Sequence, residues 1–142
     1  MIGVIGAVGA ICNIVDAVTK TVSIISDLQT RWEDADLTLL SLASQLNALR
    51  AALSSIQEWI DADLQEAHHQ LVMDLNVSIN CCKLLMRKLE GFFSDLGKLT
   101  EKPLDFRNKF KTVFGTQGPE SVQKLIGRQT NALTLLLTAC NW

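Results

Sequence analysis

The chain has 142 residues, 48% of them hydrophobic and 20% charged, with two prolines and eight glycines. That composition excludes a disordered tail, a collagen-like repeat and a low-complexity linker, and the length suits one domain. A formal net charge of −2 excludes the broadly basic surface of a general nucleic-acid binder, and no nucleic-acid partner is expected.

The charge balance conceals a polarity. Residues 1–70 carry three basic and nine acidic side chains, whereas residues 71–142 carry ten basic and six acidic. This fits two halves of a bundle that attract each other, and equally a basic surface for an acidic partner or an anionic membrane.

The segment Ile2–Val15 holds no charge, and the first basic residue is Lys20. A secretory signal needs a positive region before its apolar run, so this segment is not expected to be a signal peptide. As a helix, this segment spans about 21 Å against a hydrocarbon core of about 30 Å, too short for a standard transmembrane helix by itself. Ile11, Val15, Val18, Val22 and Ile25 recur 4, 3, 4 and 3 apart, which predicts a first helix from about Ile2 to Gln29, within residues 1–30. Gly3, Gly6 and Gly9 each cost about 1 kcal/mol relative to Ala, so the helix begins weakly. Gly3 with Ala7 and Gly6 with Ala10 are small-xxx-small pairs, which suit either a tightly packed bundle helix or helices that associate in lipid. In lipid, Asp16 and Lys20 would have to reach the interface or face a water-filled assembly interior.

Asp34 or Asp36 suits the cap of a second helix over residues 34–61. Its Leu39, Leu42, Leu46, Leu49, Leu53, Ile56 and Ile60 alternate 3 and 4 apart without a break, a heptad seam. Asp61-Ala62-Asp63 marks a junction, and Leu71, Leu75, Cys82, Leu85, Leu89, Phe92 and Leu96 stripe a third helix over residues 63–97. After Pro103, residues 104–114 form a short fourth helix with Phe106, Phe110 and Phe114 on one face. Gly115–Pro119 stops and restarts the chain, and a fifth helix covers residues 119–140 with Val122, Leu125, Ile126, Leu133, Leu136 and Leu137 inward. The predicted fold is all-α, an up-and-down bundle of four long helices plus a short connecting helix, in a single domain over residues 1–142.

Catalytic signatures are absent. Neither a Walker pattern nor a strand-linked glycine fingerprint occurs, and Gly3-Gly6-Gly9 follows no strand. His68 and His69 are adjacent and cannot share one helix face as a zinc-binding pair does. Cys12, Cys81, Cys82 and Cys140 lack zinc spacing and read as small buried hydrophobes in a reducing compartment. No enzyme, cofactor or metal is expected. Phe106, Phe110 and Phe114, flanked by Arg107, Lys109 and Lys111, suit core packing or a basic amphipathic face on anionic lipid.

The order of segments resembles the fungal HeLo and HeLo-like domains at the N-termini of NLR-like (STAND) and ankyrin-repeat proteins. The resemblance covers essentially the whole chain. It rests on the apolar start Ile2-Gly3-Val4-Ile5-Gly6-Ala7-Val8-Gly9, the Arg31-Trp32 turn, the run Gln45–Leu53 and the close Arg128–Asn141. It implies a cytoplasmic, non-enzymatic helical bundle that executes or relays a regulated cell-death response in innate immunity or heterokaryon incompatibility. On that reading the domain is tethered to a further NTPase, ankyrin or similar domain. Self-association on activation would then release the first helix to permeabilise the plasma membrane. The membrane-active segment so implied is Ile2, Gly3, Val4, Ile5, Gly6, Val8, Gly9, Ile11 and Val15. A rival reading is a protein-interaction module of a larger receptor that never touches lipid.

Overall fold

In the structure, a computed structural model, residues 4–32, 37–63, 69–99, 106–115 and 118–140 are described. They form helices α1 (Val4–Arg31), α2 (Leu37–Asp63), α3 (His69–Leu96), α4 (Phe106–Phe114) and α5 (Pro119–Cys140). Four are long, at 22 to 28 residues, and α4 has 9. The all-α bundle is as the periodicity predicts. Boundaries differ chiefly at α2, which runs through Asp61 to Asp63, and at α3, which begins at His69 rather than 63.

Polar contacts fix the directions. Gln57 of α2 donates to Cys12 of α1 and Arg50 to Thr19, so these helices run antiparallel. Lys20 meets Glu90, and Arg31 reaches Gly97 and Leu99, so α1 and α3 run parallel. The first three helices thus alternate in direction. The order of the long helices around the bundle is nevertheless α1, α2, α5, α3: α1 packs beside α2 and α3, and α5 beside the same two. Hence α2 and α3, consecutive in the chain, lie across a diagonal.

The heptad seam of α2 fills the centre. All seven of its expected positions are buried, from Leu39 at 0% exposure to Ile60 at 6%. A seam buried this completely is core and leaves no face for a partner. On α1 the buried stripe is Ile11, Ile14, Val18, Thr21, Ile25 and Leu28, while Val15 and Val22 are half-buried at its edge. Thr21 is tolerated there because its hydroxyl donates to the Ala17 carbonyl at 2.8 Å, which satisfies the buried donor. Leu125, expected inward on α5, is 38% exposed.

Where α1 ends, Arg31 binds the exit of α3. Its guanidinium donates to the carbonyls of Gly97 and Leu99 at 2.8 and 3.1 Å and pairs with Asp27 at 2.9 Å. These carbonyls belong to the turn that follows α3, and a guanidinium donating to both ties the end of α1 to it. Trp32 then turns inward, 3% exposed, edge-on to Phe106 at 6.0 Å. Replacing Arg31→Met, which keeps the aliphatic stem, is expected to cost about 1 kcal/mol, because the site is partly solvated. Urea denaturation with an unchanged slope checks this.

The turn between α4 and α5 depends on glycine. Gly115 and Gly118 have φ of 111° and 65°, a region that L side chains occupy only at a cost of about 1–2 kcal/mol. The reversal brings α4 back against α3 and α5.

Candidate membrane-active helix

Two stripes of the same period run along α1. The inward one is apolar apart from Thr21. The outward one is Gly9, Asn13, Asp16, Lys20, Ser23, Asp27 and Thr30, spaced 4, 3, 4, 3, 4 and 3, and every member is exposed. This is a helix with one oily side and one wet side, divided along its full described length.

The polar contacts along its edges are exposed. Arg50 donates to Thr19 at 3.1 Å, Gln57 to the Cys12 sulfur at 3.1 Å, and Lys20 pairs with Glu90 at 3.1 Å. Such pairs contribute about 0–1 kcal/mol each. The docked state of α1 is therefore maintained by its inward stripe. Five buried apolar side chains at about 1.5–3 kcal/mol apiece place that contribution on the order of 10 kcal/mol.

Among the described residues, one segment is long and apolar enough to cross a membrane by length and composition: Gly9–Arg31, 23 residues of α1. A helix of a bundle core passes the same test, and in α1 28% of that window is buried. The described part of the apolar segment, Val4–Val15, is thus the beginning of a longer helix rather than a separate one. Of the expected membrane-active residues, Ile2 and Gly3 lie outside the described residues, as do the side chains of Val4, Ile5, Gly6 and Val8. Gly9 is exposed, Ile11 is fully buried and Val15 is half-buried. An added Cβ at Gly9 would meet nothing within 4 Å.

The phenylalanine ridge of α4 points inward, the core packing that its spacing offers beside a lipid-facing surface. Phe106 and Phe110 are 2% and 0% exposed and Phe114 is half-buried. Phe92 receives Phe110 edge-on at 4.9 Å and Phe114 at 5.8 Å, and Phe93 lies 6.3 Å from Phe110. Rings in such T-shaped pairs gain beyond simple burial, so this face is closed by core. Lys109 and Lys111 are exposed; the Arg107 side chain lies outside the described residues. Phe93 was invisible as a core position from the single-face reading of α3, because α3 packs against three elements and buries a wider arc.

The cysteines divide by environment. Cys12, expected in the core, is exposed on the flank of α1, Cys81 is half-buried and Cys82 is buried. Burial, and then the neighbouring Cys81, push the Cys82 thiol up to about 12 from an ordinary 9.0. The folded state therefore keeps a proton that the unfolded chain releases. This contribution is fully present below pH 9.0 and is lost as pH rises toward about 12. At neutral pH, Cys12 is expected to react with a maleimide within minutes and Cys82 only on unfolding; labelled-peptide mapping checks the order. No group of three or more metal-binding side chains comes together among the described residues.

Compared with known family models, curated proteins and solved structures, the chain matches none.

Proposed function

We propose that this chain is a HeLo-like signalling domain that self-associates on activation and permeabilises membrane through α1, without enzymatic activity. The observation that carries the reading is the two-striped α1. About 10 kcal/mol of apolar burial holds it in the bundle, so release requires that the same face be buried again. A bilayer does this for the inward stripe. Gly9–Arg31 spans about 35 Å, enough for the hydrocarbon core.

Asp16 and Lys20 explain why the acting unit is an assembly. Each charge costs about 2.5–3.5 kcal/mol at the centre of an isolated inserted helix. Several helices can instead turn the outward stripe toward a shared, water-filled interior, where these side chains stay solvated. The small Gly9 and Ser23 on that stripe favour close approach. On this reading the protein rests in the cytoplasm and moves to the plasma membrane when clustered.

The test is dye release from anionic and neutral liposomes by the purified chain, beside a variant lacking residues 2–10. Release that requires the segment supports the proposal. Intact liposomes with folded, clustered protein would replace it with the interaction module. That rival is favoured by a groove between α3 and α5 where Val77 and Leu135 are 71% and 70% exposed.

A further inference from the structure

The seam between α1 and α3 is not closed along its whole length. From Ala10 to Ala17 on one side, and from Lys83 to Glu90 on the other, it opens into a half-enclosed cleft of about 180 Å³. This is the scale of the engineered cavity of about 150 Å³ that accepts benzene. Its floor is apolar, made by Ala10, Ile14, Ala17 and Met86. At its mouth stand Lys83 and Arg87, one helical turn apart on α3, with Asn13 on α1.

The electrostatics of the mouth are one-sided. Glu90 is the lining carboxylate, and Lys20 already occupies it at 3.1 Å. Asp16 belongs to the outer stripe of α1, one turn from Lys20. Lys83 and Arg87 are exposed and form no ion pair among the described residues.

We infer that this cleft binds a small anionic amphiphile, with a carboxylate or phosphate group at Lys83 and Arg87 and an apolar body over the floor. Arg87 offers a planar fork to such a group and Lys83 a point charge, while Asn13 supplies a neutral donor from the opposite helix. The volume sets the body at about six carbons. A free single-chain molecule fits this space, and the paired chains of a bilayer lipid exceed it.

Because the ligand touches α1 and α3 together, it binds only while α1 is docked, and so acts as a clamp on that helix. At ten times its Kd, opening of α1 should fall about 11-fold. The clamp rests on the proposed release of α1; the binding does not.

The full chain is titrated with hexanoate and followed by amide chemical shifts. Shifts are expected at residues 10–17 and 83–90, saturating in the millimolar range for so small a ligand. Hexanol and acetate, each lacking one half of the amphiphile, should bind at least about 10-fold more weakly. The same loss is expected for the Lys83→Gln/Arg87→Gln double variant, whose altered side chains are exposed and leave the core intact. Hexanoate binding undiminished in that variant, or matched by hexanol, overturns the anion site, and acetate binding as tightly as hexanoate overturns the apolar floor. Shifts outside the cleft overturn the assignment. Anionic vesicles shifting the same amides while free hexanoate does not would give the site to a bilayer headgroup and overturn the free amphiphile. Hydrogen exchange of α1 is the second arm: unchanged protection at saturating hexanoate, with cleft binding intact, overturns the clamp alone.

Discussion

Tying α1 to α2 is expected to abolish dye release from liposomes while making the folded bundle more stable. The attachment point is given by Gln57, whose Nε2 donates to the Cys12 sulfur at 3.1 Å. In a Gln57→Cys variant the two sulfurs lie within reach of a short bis-maleimide, and both positions are at the bundle surface, Cys12 exposed and Gln57 half-buried. A bridge between residues 12 and 57 closes a loop of about 45 residues, for which the chain-entropy estimate is roughly 4 kcal/mol and measured gains are usually about 2–4. The melting temperature should rise, as a locked fold requires. Leakage should vanish, because the inward stripe of α1 can no longer exchange the bundle core for lipid. A linker with a cleavable disulfide should restore leakage on reduction. The unsubstituted chain treated with the same reagent should leak normally, which removes modification of Cys12 itself as the cause. Full release from bridged, folded protein would sink the proposal that α1 leaves the bundle.

How much of this was legible in the sequence differs from helix to helix. The α2 seam was legible residue by residue, since Leu39 to Ile60 alternate 3 and 4 apart without a break, and all seven positions are buried. In α1 the period was legible and the phase was not. Apolar β-branched residues occupy adjacent positions at 14 and 15 and at 21 and 22 with a hydroxyl among them, so two neighbouring stripes compete; the helix lies between α2 and α3, which selects Ile14 and Thr21 over Val15 and Val22. In α3 the expected stripe omitted Ile79, Met86 and Phe93, because contact with α1, α4 and α5 widens the buried arc beyond one face.

Relations between helices were the illegible part. Nothing in a hydrophobic period states that α2 and α3 sit across a diagonal, and the open length of the α1–α3 seam depends on that placement. The small residues Ala10 and Ala17 are informative only once Met86 and the two cations of α3 are known to stand opposite. The outward stripe of α1 is legible in the sequence as well: Asn13, Asp16, Lys20, Ser23 and Asp27 keep the same 3 and 4 spacing as the apolar residues.

Phe110→Ala is expected to destabilise the bundle by about 3–5 kcal/mol, the cost of emptying a closed aromatic site. Phe110 is 0% exposed and lies 4.9 Å from Phe92, 4.6 Å from Phe114 and 6.0 Å from Phe106 by ring centroids. It is thus the joint through which α4 is held to α3. Removing it forfeits the ring's burial, the edge contacts with its neighbours and the filling of a space that rigid rings cannot collapse to close. Against a typical total of about 5–15 kcal/mol, this is a large fraction, and the melting temperature should fall by roughly 10–15 °C. Phe114→Ala, at a half-buried position, should cost distinctly less. The pair also decides the role of the ridge, because a face reserved for lipid would lose membrane binding on Phe110→Ala and keep its melting temperature. Calorimetry beside vesicle co-sedimentation separates the two: a drop in melting temperature identifies core, whereas an unchanged melting temperature with lost sedimentation would return the ridge to the membrane.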